Sequence, residues 1–169
     1  MERFLDGDAR AFDALFSRHV SNLRGYLQRL SGSAAAADDL TQVTFASMVK
    51  GRGRFQRGAK VKPWLYAIAT NAARDWRRRH KFEAVSDDGE LPEGEAEPGV
   101  ERDPGLEKAV KQALAQLPEA QREAIVLNRY EGLSFAEIAV TAGVTESAVK
   151  VRAHRGYERL RELLKGVWP

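Results

Sequence analysis

A long acidic segment divides the chain near its middle. Residues 83–107 carry ten acidic side chains, one arginine and three prolines, and no aromatic residue. This composition is typical of a solvated linker, because its charges repel one another and it offers little to bury. It predicts two small domains, at residues 1–81 and 105–169, joined by a flexible acidic linker at 82–104. The linker is either a plain tether or a mimic of nucleic acid that shields basic surfaces, and its composition leaves both open.

The N-terminal part predicts three helices. Asp8 is a candidate N-cap for the first, Ser33 begins the second, and Pro63 falls in the first turn of the third, where its missing N–H costs nothing. No alternation of apolar and polar residues is long enough to predict a strand, so we expect an all-α fold. The apolar positions that support the first two helices are Phe12, Leu15, Phe16, Val20, Leu23, Leu27 and Leu30, and then Leu40, Val43 and Phe45.

The C-terminal part predicts four helices, the last two forming a helix-turn-helix. Ser134 and Glu137 are spaced as a capping box, Gly143 suits the left-handed end of a helix, and Thr145 can cap the next one. The final helix contains Gly156, at an intrinsic cost of about 1 kcal/mol relative to alanine. Only close packing offers a reason for this glycine.

One face of the final helix is suited to enter a DNA major groove. If Val149, Ala153, Leu160 and Leu164 face the core, a basic face points outward. The alternative is an ordinary solvated surface, which the capped and glycine-turned helix before it disfavours. The predicted duplex-binding residues are Ser147, Lys150, Val151, His154 and Arg155 on the front, with Arg152 and Arg159 flanking toward phosphates.

A second basic zone spans residues 50–81, which hold eleven Lys or Arg against a single acid, Asp75. Aromatic and amide groups within a basic field suit unstacked bases, because rings stack on bases while arginines neutralise the backbone. Trp64 and Trp76 are either such platforms or core residues, and core is the more common role. For the third helix we expect a core stripe of Leu65, Ile68, Ala69, Ala72 and Trp76, with Tyr66, Thr70, Asn71, Arg74, Arg77 and Arg78 exposed.

Composition excludes several classes of function. The 169 residues have a formal net charge of +3, no cysteine and three histidines, which rules out disulfides and thiolate metal sites. No acid pair, nucleophile–base set or metal cluster is apparent, so we expect no enzymatic activity, no metal and no cofactor. The charged N-terminus lacks a signal-peptide core, and no segment approaches a membrane span. We therefore expect a cytoplasmic protein.

Several motifs, in order, resemble a known family. "DDLTQVTF", a basic glycine-rich loop, "KPWLYAIATNAARDWRRR" and "LPEAQREAIVLNRYEGLSFAEIAVTAGVTESAVKVRAHRGYERLRELL" together resemble a bacterial extracytoplasmic-function (ECF, group 4) RNA polymerase sigma factor. The resemblance implies a sigma region 2 helical bundle that binds core polymerase and opens the promoter −10 element. It also implies a sigma region 4 domain whose helix-turn-helix reads the −35 element as duplex, and control by an anti-sigma factor.

The resemblance also implies roles for particular residues. The loop from about Gly53 to Lys62 and the start of the third helix would hold an extruded −10 base. One alternative interpretation is an ordinary helix-turn-helix regulator, which leaves the zone at 50–81 unexplained. Another is a recombinase or nuclease, which would need Asp or Glu clustered beside a serine or metal site, whereas the acids here are concentrated in the linker. The implied −10 residues are Arg54, Lys60, Lys62, Trp64, Tyr66, Asn71, Arg74, Arg77 and Arg78, and the implied contacts with the polymerase clamp helices are Asp38, Asp39, Gln42 and Phe45.

Overall fold

The computed structural model describes residues 1–80 and 104–167, which contain eight α-helices, one 3₁₀ turn and no β-strand. The chain divides into two compact units, Met1–Pro92 and Glu93–Pro169. The all-α fold is confirmed for the described residues. Of the expected linker, residues 82–103 lie outside them, and Pro104 already begins a helix, so the last four residues of the acidic segment at 83–107 are helical.

The helices of the first unit are α1 (Glu2–Leu5), α2 (Ala9–Ser31), α3 (Ala34–Lys50) and α4 (Val61–His80), with the 3₁₀ turn at Arg52–Arg54. Local signals set their limits as expected. The Asp8 side chain accepts a hydrogen bond from the Arg10 amide at 3.0 Å, and Ser33 accepts one from the Ala36 amide at 3.2 Å. Gly32, at φ 76°, ends α2 in the left-handed conformation.

The core of the first unit lies where α2, α3 and α4 pack against one another. Phe45 is only 3% exposed. Its ring centroid lies 4.7 Å from that of Phe16 and 6.3 Å from that of Phe12. Val43, an expected apolar position of α3, is 50% exposed instead. The fully buried centre consists of Leu23, Tyr26, Leu27, Leu30, Met48, Leu65 and Tyr66.

The expectation for α4 was wrong for Tyr66 and Thr70, which are buried rather than exposed. The Thr70 hydroxyl donates to the Tyr66 carbonyl at 2.7 Å and lies 2.7 Å from the Tyr26 hydroxyl, while the two tyrosine rings are 5.1 Å apart. Because a threonine hydroxyl has one proton, Thr70 accepts from Tyr26. These hydrogen bonds satisfy the polar side chains that enter the core. Of the expected core stripe of α4, Ile68, Ala72 and Trp76 are only half-buried.

The helices of the second unit are α5 (Pro104–Ala115), α6 (Glu119–Arg129), α7 (Phe135–Ala142) and α8 (Glu146–Leu163). The capping box of Ser134 and Glu137 is confirmed in both directions. Gly143 ends α7 at φ 66°, and Thr145 caps α8 by accepting from the Ala148 amide at 3.2 Å. Helix α8 packs on α5, α6 and α7, so its orientation is defined by several contacts.

Close packing between α6 and α8 explains the glycine within the last helix. A Cβ atom on Gly156 would lie 2.6 Å from the Ile125 Cδ1 atom and 3.3 Å from the Gln121 Cβ atom. Ile125 belongs to a buried cluster with Leu114 and Leu117. The intrinsic cost of this glycine is therefore offset by the close approach of two helices.

In the described ranges, no helix combines the length and the apolar character that crossing a membrane requires.

Candidate nucleic-acid and polymerase interfaces

The N-terminal half of α8 presents an exposed polar face. Val149 and Ala153 are buried as expected, while Leu160 and Leu164 are half-buried. The face is built on a helix whose start is capped by Thr145, so its side chains project from a rigid element. Its exposed residues are Ser147, Lys150, Val151, His154 and Arg155, as the sequence predicted.

The charged groups of this face differ in what already engages them. Lys150 pairs with Glu146 at 2.7 Å, and the His154 ring lies 3.4 Å from the Glu158 carboxylate. Arg155 has no ion pair with any residue that the structure describes. Exposed pairs contribute about 0–1 kcal/mol, so a phosphate or base can displace the existing partners. Arg155 can donate without giving up a partner.

The two flanking arginines lie beside this face. Arg152 is half-buried. Arg159 is exposed, and its guanidinium lies 3.5 Å from the Glu162 carboxylate. Their positions suit contacts with phosphates at the groove edge, which position a helix without reading sequence.

The basic loop between α3 and α4 lies beside the start of α4. Phe55 is buried and packs edge-on against the half-buried Trp64 ring, with centroids 5.0 Å apart. Arg54, before Phe55 in the chain, and Lys60, after it, are both exposed. Lys62 is half-buried, and its Nζ atom lies 5.6 Å from the Tyr66 ring centroid. Trp64 therefore remains a candidate base platform, whereas the buried Tyr66 cannot stack on a base without unfolding the core.

The basic residues along α4 divide into structural and available groups. Arg77 donates to the Leu30 carbonyl at the end of α2, so it ties two helices together. Arg78 is exposed and pairs with Asp75 at 3.1 Å. Asn71 is exposed and Arg74 is half-buried. The structure thus assembles only part of the expected strand-binding set on one accessible surface.

The surface of α3 carries three of the four expected polymerase contacts. Asp38, Asp39 and Gln42 are exposed, whereas Phe45 is a core residue, and its expected role as a surface contact is wrong. The Arg24 guanidinium from α2 binds Asp38, with Nε 2.5 Å from Oδ1. This hydrogen bond and the arginine charge lower the pKa of Asp38. Among the described residues, neither Asp39 nor Gln42 is engaged by another side chain.

His19 lies on α2 in the positive environment of this unit. Partial burial lowers the pKa of His19, and the nearby charges of Arg18 and Lys62 lower it further. The neutral imidazole is therefore favoured in the folded state.

Sequence reasoning missed a set of acidic residues at the chain start. Glu2 and Asp6 both bind Arg57 of the basic loop, at 2.9 Å and 2.6 Å. Only their spacing of four residues, which puts two carboxylates on one side of a short helix, could have suggested a shared cation. Arg24 was missed as well, because its partner on α3 is set by tertiary packing.

Within residues 1–80 and 104–167, no group of three or more His, Asp or Glu side chains could hold a metal ion. The surfaces described above offer cations, amides and a half-buried ring instead. Their chemistry is that of nucleic-acid and protein binding.

Comparison with known proteins agrees with this arrangement. The family model described as "Sigma-70 region 2" matches residues 15–83, and the one described as "Sigma-70, region 4" matches residues 107–160. The RNA polymerase sigma factor CarQ of Myxococcus xanthus is 45% identical over 166 residues, which cover 97% of this chain and 95% of CarQ. The ECF RNA polymerase sigma factor SigM of Mycobacterium tuberculosis is 37% identical over 160 residues, covering 94% and 79% of the two chains.

Solved structures give the same result. The sigma factor RpoE from Bartonella quintana, in complex with the anti-sigma factor NepR, aligns with a TM-score of 0.75 and 29% identity over 94% of this chain and 99% of that one. CnrH, in complex with the cytosolic domain of CnrY, aligns with a TM-score of 0.74 and 26% identity over 97% and 94%. The chain therefore belongs to the extracytoplasmic-function sigma factors, the subunits that direct bacterial RNA polymerase to initiate transcription at particular promoters.

Proposed function

We propose that this sigma factor reads the −35 element as duplex with the exposed face of α8. The observation that carries the proposal is that this face stands on a helix held by the Thr145 cap, the Gly143 turn and the Gly156 crossing. Lys150 and Arg155 carry donors without acceptors, which suits the O6 and N7 atoms of guanine. The methyl groups of Val151, which is 45% exposed, suit the methyl group of thymine.

The −10 element is opened by the loop between α3 and α4 and by the exposed side of α4. Extruding a base costs a few kcal/mol, so the opened strand must gain comparable free energy from stacking and phosphate contacts. Arg54 and Lys60 are exposed cations, Trp64 supplies a half-buried ring, and Asn71 supplies an amide. Melting is driven by binding, and the protein performs no bond chemistry of its own.

Core polymerase binds the exposed side of α3. Asp39 and Gln42 carry most of this contact, because Asp38 is already engaged by Arg24. Replacing both Asp39 and Gln42 by alanine should weaken association with purified core while leaving helical content unchanged. Asp38→Asn is the matched control and should weaken it less. Equal co-purification of the double variant and the wild type would contradict this assignment.

An anti-sigma protein regulates the factor in the cytoplasm, where the polymerase works. The supporting observation is that the solved RpoE of similar fold is bound to the anti-sigma factor NepR, and the solved CnrH is bound to the cytosolic domain of CnrY. Purification of the protein from its own cells should recover this anti-sigma partner. Core polymerase should compete with the partner for binding to the sigma factor.

Run-off transcription tests the proposed function as a whole. Purified protein is added to core polymerase on genomic fragments, and transcripts are mapped. We expect initiation at defined starts that share −35 and −10 sequences. Binding to these fragments without initiation would favour the alternative of an ordinary helix-turn-helix regulator.

A further inference from the structure

Helix α1 and its C-cap residue Asp6 are bound to the basic loop between α3 and α4. The Arg57 guanidinium donates to Glu2 Oε2 at 2.9 Å and to Asp6 Oδ1 at 2.6 Å. The Gly58 amide donates to the second Glu2 oxygen, Oε1, at 3.0 Å. Hydrogen bonding to Asp6 and Glu2, together with their charges, raises the pKa of Arg57. We call Glu2, Asp6, Arg57 and Gly58 the N-terminal clasp.

The clasp is attached to the core on its α1 side. Phe4, between the two acids, is buried and packs against Phe12 of α2 with ring centroids 5.7 Å apart. The Arg52 guanidinium, from the 3₁₀ turn, lies 5.9 Å from the Phe4 ring centroid. Helix α1 is therefore a fixed support, because an aromatic side chain holds it on α2.

On its other side the clasp grips the centre of a tight turn. The Ala59 amide donates to the Gln56 carbonyl at 3.1 Å, and Gly58 has φ 82°, the left-handed conformation that a type II turn needs at its third position. Arg57 and Gly58 are the two central residues of this turn. Glu2 contacts both of them, so it restrains the turn where its conformation is decided.

The loop is thus restrained at two neighbouring points. Phe55 packs on Trp64, and the turn at Gln56–Ala59 is held by the clasp. Arg54 and Lys60 lie next to these two restraints and remain exposed. Because exposed loops without such restraints sample many conformations, the clasp limits where these cations can lie relative to Trp64.

We propose that Glu2 and Asp6 are positioning residues for −10 recognition, holding the basic loop in the conformation that accepts the extruded base. This inference rests on the proposed role of that loop. Arg57, with two carboxylates on its guanidinium, serves the geometry of the loop. Base selectivity at the −10 element then depends on residues at the start of the chain that do not touch DNA.

The test compares the Glu2→Ala, Asp6→Ala double variant with the wild type in the full chain. The matched control is Arg3→Ala, which breaks the 2.7 Å pair between the exposed Arg3 and the half-buried Asp8 without touching the loop. The first measurement is the exchange rate of the Gly58 amide by NMR. The second is run-off transcription from promoters substituted at each −10 position, scored as the ratio of the best base to the next best, on duplex and pre-opened templates.

We expect the double variant to exchange the Gly58 amide faster and to lose selectivity. Each exposed ion pair favours the restrained loop conformation by a factor of about 1.4 to 5, so losing both should lower the selectivity ratio by about two- to 25-fold. The pre-opened template should show the same loss of selectivity, since the loop reads the base after extrusion. The Arg3→Ala control should match the wild type in both measurements.

Three results would overturn the proposal. A normal ratio in the double variant, while Lys60→Ala changes it, means that the loop reads the base without the clasp. A gain in transcription from every promoter with unchanged selectivity means that the two acids shield the loop from DNA. The third result is a selectivity ratio that neither the double variant nor Lys60→Ala changes at any −10 position, although Gly58 exchanges faster in the double variant. It means that the clasp exists but that the loop does not read the −10 element.

Discussion

Gly156→Ala isolates the packing between α6 and α8, and its effect can be worked out in advance. In an exposed helix, alanine in place of glycine stabilises by about 1 kcal/mol. Here the new Cβ atom would lie 2.6 Å from Ile125 Cδ1. Ile125 cannot turn away freely, because Leu114, Leu117 and Leu160 pack around it. Overpacking of this kind costs about 1–3 kcal/mol, so the substitution should be destabilising by up to about 2 kcal/mol.

A second substitution should reverse the sign of this effect. Ile125→Val removes the Cδ1 atom and by itself costs about 0.5–1.5 kcal/mol. The nearest remaining atoms are Gln121 Cβ at 3.3 Å and Ile125 Cγ1 at 3.5 Å, which a small shift accommodates. In the Ile125→Val background, Gly156→Ala should therefore stabilise the second unit by up to about 1 kcal/mol, approaching the intrinsic helix preference.

Hydrogen exchange of α8 amides in the full chain measures the free energy of opening of this unit alone. Gly25→Ala is the matched control, since Gly25 lies inside α2 and its added Cβ would meet only the Arg29 guanidinium, at 3.2 Å. That variant should slow exchange in α2, because the end of an arginine side chain moves easily. If Gly156→Ala slows exchange in α8 as much as Gly25→Ala does in α2, the close approach of α6 and α8 is wrong.

Three further predictions concern the other surfaces. Arg155→Ala should relax the preference at one or two −35 bases by about 1–3 kcal/mol each, and a mutant that keeps the wild-type ranking while scaling every promoter down would make Arg155 a phosphate contact. Asn71→Ala should reduce transcription from duplex promoters about three- to ten-fold more than from templates pre-opened at −10, and equal losses would remove it from the melting step. The lowered pKa of His19 means that the unfolded state binds more protons, so the unfolding free energy should fall as pH drops below 6.5. His19→Gln should flatten that dependence in acid titrations followed by circular dichroism, and an unchanged slope would contradict the lowered pKa.

Much of the fold follows from short-range signals. Caps such as Asp8, Ser33 and Thr145 bind amides two or three residues away, so a single sequence contains both partners. The exposed face of α8 could also be predicted from local sequence, because the apolar residues on the opposite face recur at regular helical spacing. Gly143 could be predicted as the end of α7, because glycine readily adopts the left-handed conformation that this position requires.

The errors occurred where a distant partner decides the environment. Thr70 is buried because Tyr26, 44 residues away, shares its hydroxyl. Buried threonines in α3 satisfy themselves, as Thr41 does by donating to the Ala37 carbonyl at 2.7 Å, so polar character does not imply exposure. The N-terminal clasp joins Glu2 to Arg57 across 55 residues, and the spacing of Glu2 and Asp6 was the only local signal for it. Close packing was expected at Gly156, but the sequence could not identify the residues it packs against, Ile125 and Gln121 of α6.

The crossing at Gly156 also controls what α8 can read. Ser147 lies about 13 Å from Gly156 along the helix axis, at about 1.5 Å per residue, whereas Arg155 is adjacent to it. If an alanine at 156 tilts α8 by about 10°, Ser147 moves by about 2 Å, more than the roughly 0.5 Å range over which a hydrogen bond keeps good geometry. Contacts near the start of α8, at Ser147 and Lys150, should therefore weaken while those of Arg155 persist. A −35 substitution series transcribed with Gly156→Ala should lose preference at the bases that Lys150→Ala affects and keep it at those that Arg155→Ala affects. Uniform loss at all −35 positions would mean that the substitution unfolds the unit, and an unchanged ranking would mean that α7 alone sets the orientation of α8.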